Sequence, residues 1–364
     1  MNPERRSTFQ LKYKKVDLNN LKKLSAKVIK LTKFMDDYGR ILSILNEKME
    51  SMTIVTIAQF YDPPLHYFTL SDFQLAPTLE ELERIVGRNL RDHDPFPKFD
   101  EGITSKRITS VLGLEVQLVI SNWDKKGVFS GFSRCFVDHM AVRILLSGNP
   151  VLFLLDDIYY ALHERHEKKW GTLLCCEHLL HAWFRSHMPE KGPYTSKTLK
   201  PSQKLASVTS NHVKWYIRDW ETPNIIVSVG DFSNVLLIET RGCINYNLML
   251  SSIQLGYSMN GPPNVEALEP FILHDIDTNN PIVKKIKESW KTIVRRGKEF
   301  GKRNVLVKEP YTCWVRERVQ VVKLLFPFDP SIFPPVLEPE SILPEDVEKL
   351  NAKIKELELE TSEL

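Results

Sequence analysis

The chain has 364 residues, of which 42% are hydrophobic and 26% charged, and its formal net charge is +3. Those values suit a folded chain of two or three domains with a sizeable core. They exclude an argument for nucleic-acid binding from total charge, so local clustering must decide. The five cysteines are odd in number and irregularly spaced. They form no disulfide framework and fit reduced thiols in an intracellular protein. No apolar run follows the N-terminus, and Pro150–Leu155 is far below the about 20 residues of a membrane helix. The expectation is therefore an intracellular protein with no secretory signal and no membrane partner.

Residues 1–40 hold eleven Lys/Arg against four Asp/Glu. Leu18, Leu21, Leu24, Val28 and Leu31 recur at helical spacing among the lysines, which predicts a basic amphipathic helix within 1–34. A second helix is expected over Asp37–Lys48, and Phe68-Thr69-Leu70 reads as extended. Thr78, with Glu81 three residues on, reads as a capping box, and Gly87 as the stop of that helix. Ser105–Leu118 is read as helical. Pro150 opens a helix to about Lys169, and a second runs from about Leu173 to His187. Their short link predicts an antiparallel helical hairpin.

Ile225–Val229 and Val235–Ile238 read as two short strands around Gly230-Asp231. Asn247–Leu255 is a short helix, Pro281–Glu299 a strongly basic one and Pro310–Lys323 another. A proline-rich linker, 326–344, precedes a tail, 345–364, where Val347, Leu350, Ile354, Leu357 and Leu364 give a coiled-coil-like helix. The predicted fold is mainly α: a multi-helical globular domain over 35–325 with a small β element near 225–238 and that C-terminal helix.

Two clusters carry chemistry. If the hairpin pivots near Trp170-Gly171, His163 faces His178 and His166 faces Cys175, four ligands of the type that encloses a tetrahedral zinc. The packing reading outweighs the metal reading, because histidines near a helix C-terminus and cysteines in cores are ordinary. The second cluster is the basic segment, with Lys284, Lys285, Lys287, Lys291, Arg295, Arg296, Lys298, Lys302 and Arg303 against Glu288 and Glu299. Its stripe of Val283, Ile286, Trp290 and Ile293 turns the cations outward, toward nucleic-acid phosphates.

No nucleophile elbow, P-loop or dinucleotide-binding glycine motif occurs. The paired acids Asp36-Asp37 and Asp156-Asp157 point about 100° apart on a helix and make no acid/base couple. No catalytic residue and no cofactor are expected.

Several stretches form a set: Ile57-Ala58-Gln59-Phe60-Tyr61-Asp62-Pro63-Pro64, Phe73-Gln74-Leu75-Ala76-Pro77-Thr78-Leu79-Glu80-Glu81, Leu174-Cys175-Cys176, Val229-Gly230-Asp231-Phe232, Ile244-Asn245-Tyr246-Asn247 and Lys308-Glu309-Pro310-Tyr311-Thr312. In this order they resemble a plant domain of unknown function, widespread in legume genomes and related to the transposon-associated, aminotransferase-like plant mobile domain. The resemblance spans residues 35–325 and implies a helical fold, a transposon-derived origin and a nuclear setting. It brings no catalytic residues. A stretch the family usually carries is missing near 132–140. The expected function is a non-enzymatic binding or scaffold module, with self-association or a protein partner at the C-terminal helix. Nucleic-acid binding through 284–303 is the alternative, and a cryptic enzyme or zinc-binding protein the third reading.

Overall fold

Local chemistry sets several helix ends. Thr78 accepts the Glu81 N–H while the Glu81 carboxylate accepts the Thr78 N–H, and Gly87 closes the helix in the left-handed region. Asn247 caps the helix that follows it, and Asn280 caps one with Pro281 in its first turn.

The computed structural model describes residues 10–12, 31–44, 49–90, 109–110, 115–117, 120, 149–215, 224–238, 242–257, 261–274, 280–297, 299 and 309–322. The chain divides into two compact units, Met1–Phe326 and Pro327–Leu364, and all described residues belong to the first. Most of the basic N-terminal helix, the segment 132–140, the linker and the tail lie outside the described residues. So does most of the helix read over Ser105–Leu118.

In chain order the elements are β1 (Gln10–Lys12), α1 (Leu31–Tyr38), α2 (Ile41–Ile44), α3 (Ser51–Gln59), β2 (Tyr61–Asp62), β3 (Tyr67–Thr69), β4 (Gln74–Leu75) and α4 (Leu79–Val86). Then come α5 (Val151–Lys168), β5 (Trp170–Thr172), α6 (Glu177–His187), α7 (Pro201–Ala206), β6 (Ile225–Val229), β7 (Val235–Ile238), β8 (Gly242–Tyr246) and α8 (Leu248–Gln254). The last are β9 (Ile272–His274), α9 (Pro281–Lys291), β10 (Ile293–Arg296) and α10 (Glu309–Val322). Among the described residues no helix is long and apolar enough to cross a membrane.

The expectation of a mainly α fold is overturned. Among the described residues the structure is about 50% helical and 17% strand, a mixed α/β fold with four small sheets. The sheets are the antiparallel meanders β2-β3-β4 and β7-β8-β9, the antiparallel pair β6-β10 and the parallel pair β1-β5. Strands of two to five residues leave too little length for an alternating pattern. Several are also buried at every position (β3, β4, β7 and β8), so no polar face alternates with an apolar one.

The two strands expected around Gly230-Asp231 exist, but not as a hairpin. β6 pairs with β10, and β7 pairs with β8.

At the centre lies α5, with Leu152, Leu155, Ile158, Tyr159 and Leu162 fully buried. It packs against α4, β7 and β8, while α6 packs against α3 and α4. Trp183 of α6 stacks on Phe68 of β3 at 5.8 Å, and Tyr159 of α5 stacks on Tyr246 of β8 at 5.9 Å. Both helices of the expected hairpin are present, with β5 inserted between them and Lys169 and Gly171 at positive φ, but each packs mainly on other elements and not on its neighbour.

The last helix is fastened to the first meander. Arg318 of α10 donates to both carboxylate oxygens of buried Asp62, at 2.6 and 2.7 Å. Truncating one partner of such a pair strands the other. Asp62→Ala is therefore expected to destabilise the protein by about 3 kcal/mol, read as a lowered denaturant midpoint.

Candidate functional site

The structure does not gather the four proposed zinc ligands into one site. α6 begins at Glu177, so Cys175 precedes the helix instead of riding on its face. His163 and His166 turn toward the 51–69 segment: His166 Nε2 donates to the Ala58 carbonyl at 2.6 Å, and the His163 ring sits 5.4 Å from that of His66. Cys175 and Cys176 are buried free thiols, and burial pushes the Cys176 thiol up to about 12. His178 is buried on α6. Among the described residues, no group of three or more His, Cys, Asp or Glu side chains is placed to hold a metal ion.

The basic segment is not one helix to Glu299. α9 stops at Lys291, and Ile293–Arg296 pairs antiparallel with β6, with a register shift between Val294 and Arg295. The run Thr292-Ile293-Val294 is β-branched throughout, which disfavours helix and suits a pleated strand. Lys284, Lys285, Lys291 and Arg296 remain exposed, and Lys287 is half-buried. Lys285 lies 5.2 Å above the Phe232 ring and 3.6 Å from Asp231, and Lys291 pairs with Glu288 at 2.7 Å. Such exposed pairs are weak and exchange readily for other anions. Arg295 is different: it is half-buried and bound to Glu83 at 3.2 Å, so it belongs to the fold. Lys298, Lys302 and Arg303 lie outside the described residues.

The most elaborate polar cluster is one the sequence reading did not single out as a site. Glu81 is 2% exposed. Its Oε2 accepts the Trp183 indole N–H at 2.8 Å and the Thr78 N–H at 3.2 Å. The Gln254 amide donates to both oxygens, at 2.8 and 2.7 Å. Gln254 also exchanges two hydrogen bonds with the backbone of Ala76. His187 completes the shell, with Nε2 3.0 Å from Glu81 Oε1 and Nδ1 donating to the Lys214 carbonyl at 2.8 Å.

Two neighbouring acids on α4 make further ties. Glu80 accepts the Ile226 N–H at 2.7 Å, and burial raises its carboxyl above the usual range. Glu83 accepts the Leu90 N–H at 2.8 Å beside Arg295. The capping box was a visible sequence signal. Partners 102 and 173 residues away from Glu81 were not.

Chemically the Glu81 cluster is a set of donors converging on one carboxylate, which holds α4, α6 and α8 together. Removing the carboxylate leaves an indole and an amide without their acceptor in the core. Glu81→Ala is expected to cost about 3–5 kcal/mol, with the cooperative transition retained, measured by urea denaturation.

Against known proteins, the chain matches a family model described as a domain of unknown function (DUF7745), over residues 20–137 and 133–320. No curated protein and no solved structure matches it. The match covers most of the 364 residues and takes in the capping-box segment, the histidine hairpin and the basic helix alike, so the chain belongs to the DUF7745 domain family.

Proposed function

We propose that this chain is a non-enzymatic binding or scaffold module of transposon-derived origin that works in the nucleus. The observation that carries the non-enzymatic part is where three of its inward-facing acids go. Asp62 is bound by Arg318, Glu81 by Trp183 and Gln254, and Glu83 by Arg295, each across different elements. Groups fastened in this way hold a fold together, whereas an acid/base catalyst must face its substrate. The origin and the nuclear setting rest on the resemblance to the plant mobile domain, and family membership is compatible with both. The acidic coiled-coil-like tail, 345–364, is the surface assigned to a protein partner or a second copy. Deleting it is expected to lower the mass of the purified chain in light scattering, if a second copy is the partner. An unchanged monomeric mass for both forms would leave the tail without that role.

A second reading, nucleic-acid binding, is favoured by one observation. Lys284, Lys285, Lys291 and Arg296 are all exposed on the adjoining α9 and β10. Phosphate contacts of this kind ignore base sequence and weaken with salt. Binding to random-sequence duplex DNA in fluorescence anisotropy is expected to lose roughly tenfold or more between about 50 and 200 mM salt. Replacing the four residues by alanine should flatten that dependence. No binding at low salt would remove this reading.

A further inference from the structure

Two imidazoles meet beneath the turn between β2 and β3. His66 ends that turn: its N–H donates to the Pro63 carbonyl at 3.3 Å, and its φ is +54°. The residue is 1% exposed. Its Nδ1 donates to the Asn245 carbonyl of β8 at 2.5 Å, which fixes the neutral tautomer and leaves Nε2 bare. That nitrogen is buried with no hydrogen-bond partner among the described residues.

His163 of α5 stands edge-on to it, rings 77° apart and 5.4 Å between centroids. Its Nε2 is 3.4 Å from Glu167 Oε1, and its Nδ1 is likewise buried without a hydrogen-bond partner. Tyr61 of β2 and Tyr159 of α5 pack on the His66 ring at 6.3 and 6.4 Å. On the outer side His163 faces Glu167 of its own helix and His274 of β9, whose Nδ1 is 2.7 Å from the Tyr160 hydroxyl. A proton added to His66 Nε2 or His163 Nδ1 would create a buried N–H with no acceptor, beside another imidazole.

We propose that His66 and His163 form an acid-sensitive latch. While both rings are neutral they hold the β2–β3 turn against β8 and α5, and proton uptake releases that turn. Burial is the main influence on His66, followed by the nearby His163, and together they push it down to about 3 against the opposing pull of the Asn245 carbonyl. Burial also lowers His163, with Glu167 opposing.

Both groups are bases depressed in the closed state, against about 6.5 when exposed. The released turn therefore binds protons that the closed one does not. The closed state is fully favoured above about pH 6.5 and loses ground as pH falls, by up to tenfold per pH unit through His66 down to about 3, with His163 acting in the same direction. Glu167, half exposed, softens the effect at His163 without reaching His66.

The test is hydrogen exchange on the full chain at about pH 7 and about pH 5, corrected for intrinsic rates. A companion variant carries His66→Asn, which tolerates the left-handed backbone and keeps a donor for Asn245, and His163→Gln. In the wild type, residues 65–69 and 242–246 are expected to lose at least tenfold in protection on acidification while 79–86 keep theirs. The double variant should show no such selective loss. Unchanged protection in the wild type, loss shared equally with 79–86, or the same loss in the double variant would each overturn the latch. Should the double variant not fold, the comparison of segments in the wild type decides.

Discussion

A charged carboxylate in a protein core survives only when donors replace the water it has lost. Glu81 meets that condition with a backbone N–H, an indole N–H and a side-chain amide, and the His187 ring lies 3.0 Å away. Each donor comes from a different place: Thr78 precedes α4, Trp183 lies on α6, and Gln254 ends α8. Apolar packing alone would let these elements slide by a turn at modest cost, since hydrophobic contact has no direction. A carboxylate that needs all of its donors does not permit that, because any slip leaves several buried polar groups unpaired at once. The large aromatic residues around it (Tyr67, Phe68 and Trp183) then pack in one arrangement.

The same helix extends this logic outward. Its sequence, Leu-Glu-Glu-Leu-Glu-Arg-Ile-Val, resembles a solvated surface helix, yet Glu80 and Glu81 are both 2% exposed. The ion pair of Glu83 with Arg295 ties β10 to α4, and the Glu80 bond to Ile226 ties β6 to it. The β6-β10 pair therefore rests on acids of α4 as well as on its own ladder.

What could be read from the sequence was what a few neighbouring residues decide. The Thr78 capping box, the Gly87 stop, the helix after Asn247, the helix from Pro150 and the strand character of 225–229 and 235–238 all depend on contacts within a turn or so. Pairing depends on other segments, so the two strands read around Gly230-Asp231 did not reveal that β10 and β8 are their partners. The basic stretch looked like one helix because lysines carry little strand signal, and the β-branched run at 292–294 was outweighed by the charge pattern. For the candidate sites, the histidines of α5 were noticed, but His66, the residue that faces His163, lies almost 100 residues earlier, in a turn with no metal-like spacing. Gln254 had no local signal at all.

The tie between Asp62 and Arg318 spans 256 residues, the one between Glu81 and Gln254 spans 173, and β1 pairs in parallel with a strand some 160 residues later. Synthesis runs from the N-terminus, so the early meander leaves the ribosome with its carboxylates unmatched and its apolar faces bare. Topology of this kind slows folding, because long loops must close before their contacts stabilise anything. The nascent chain therefore holds an unfinished core until α8 emerges, and an unfastened edge until α10 does. During that interval it depends on chaperones more than a helical bundle of equal size would.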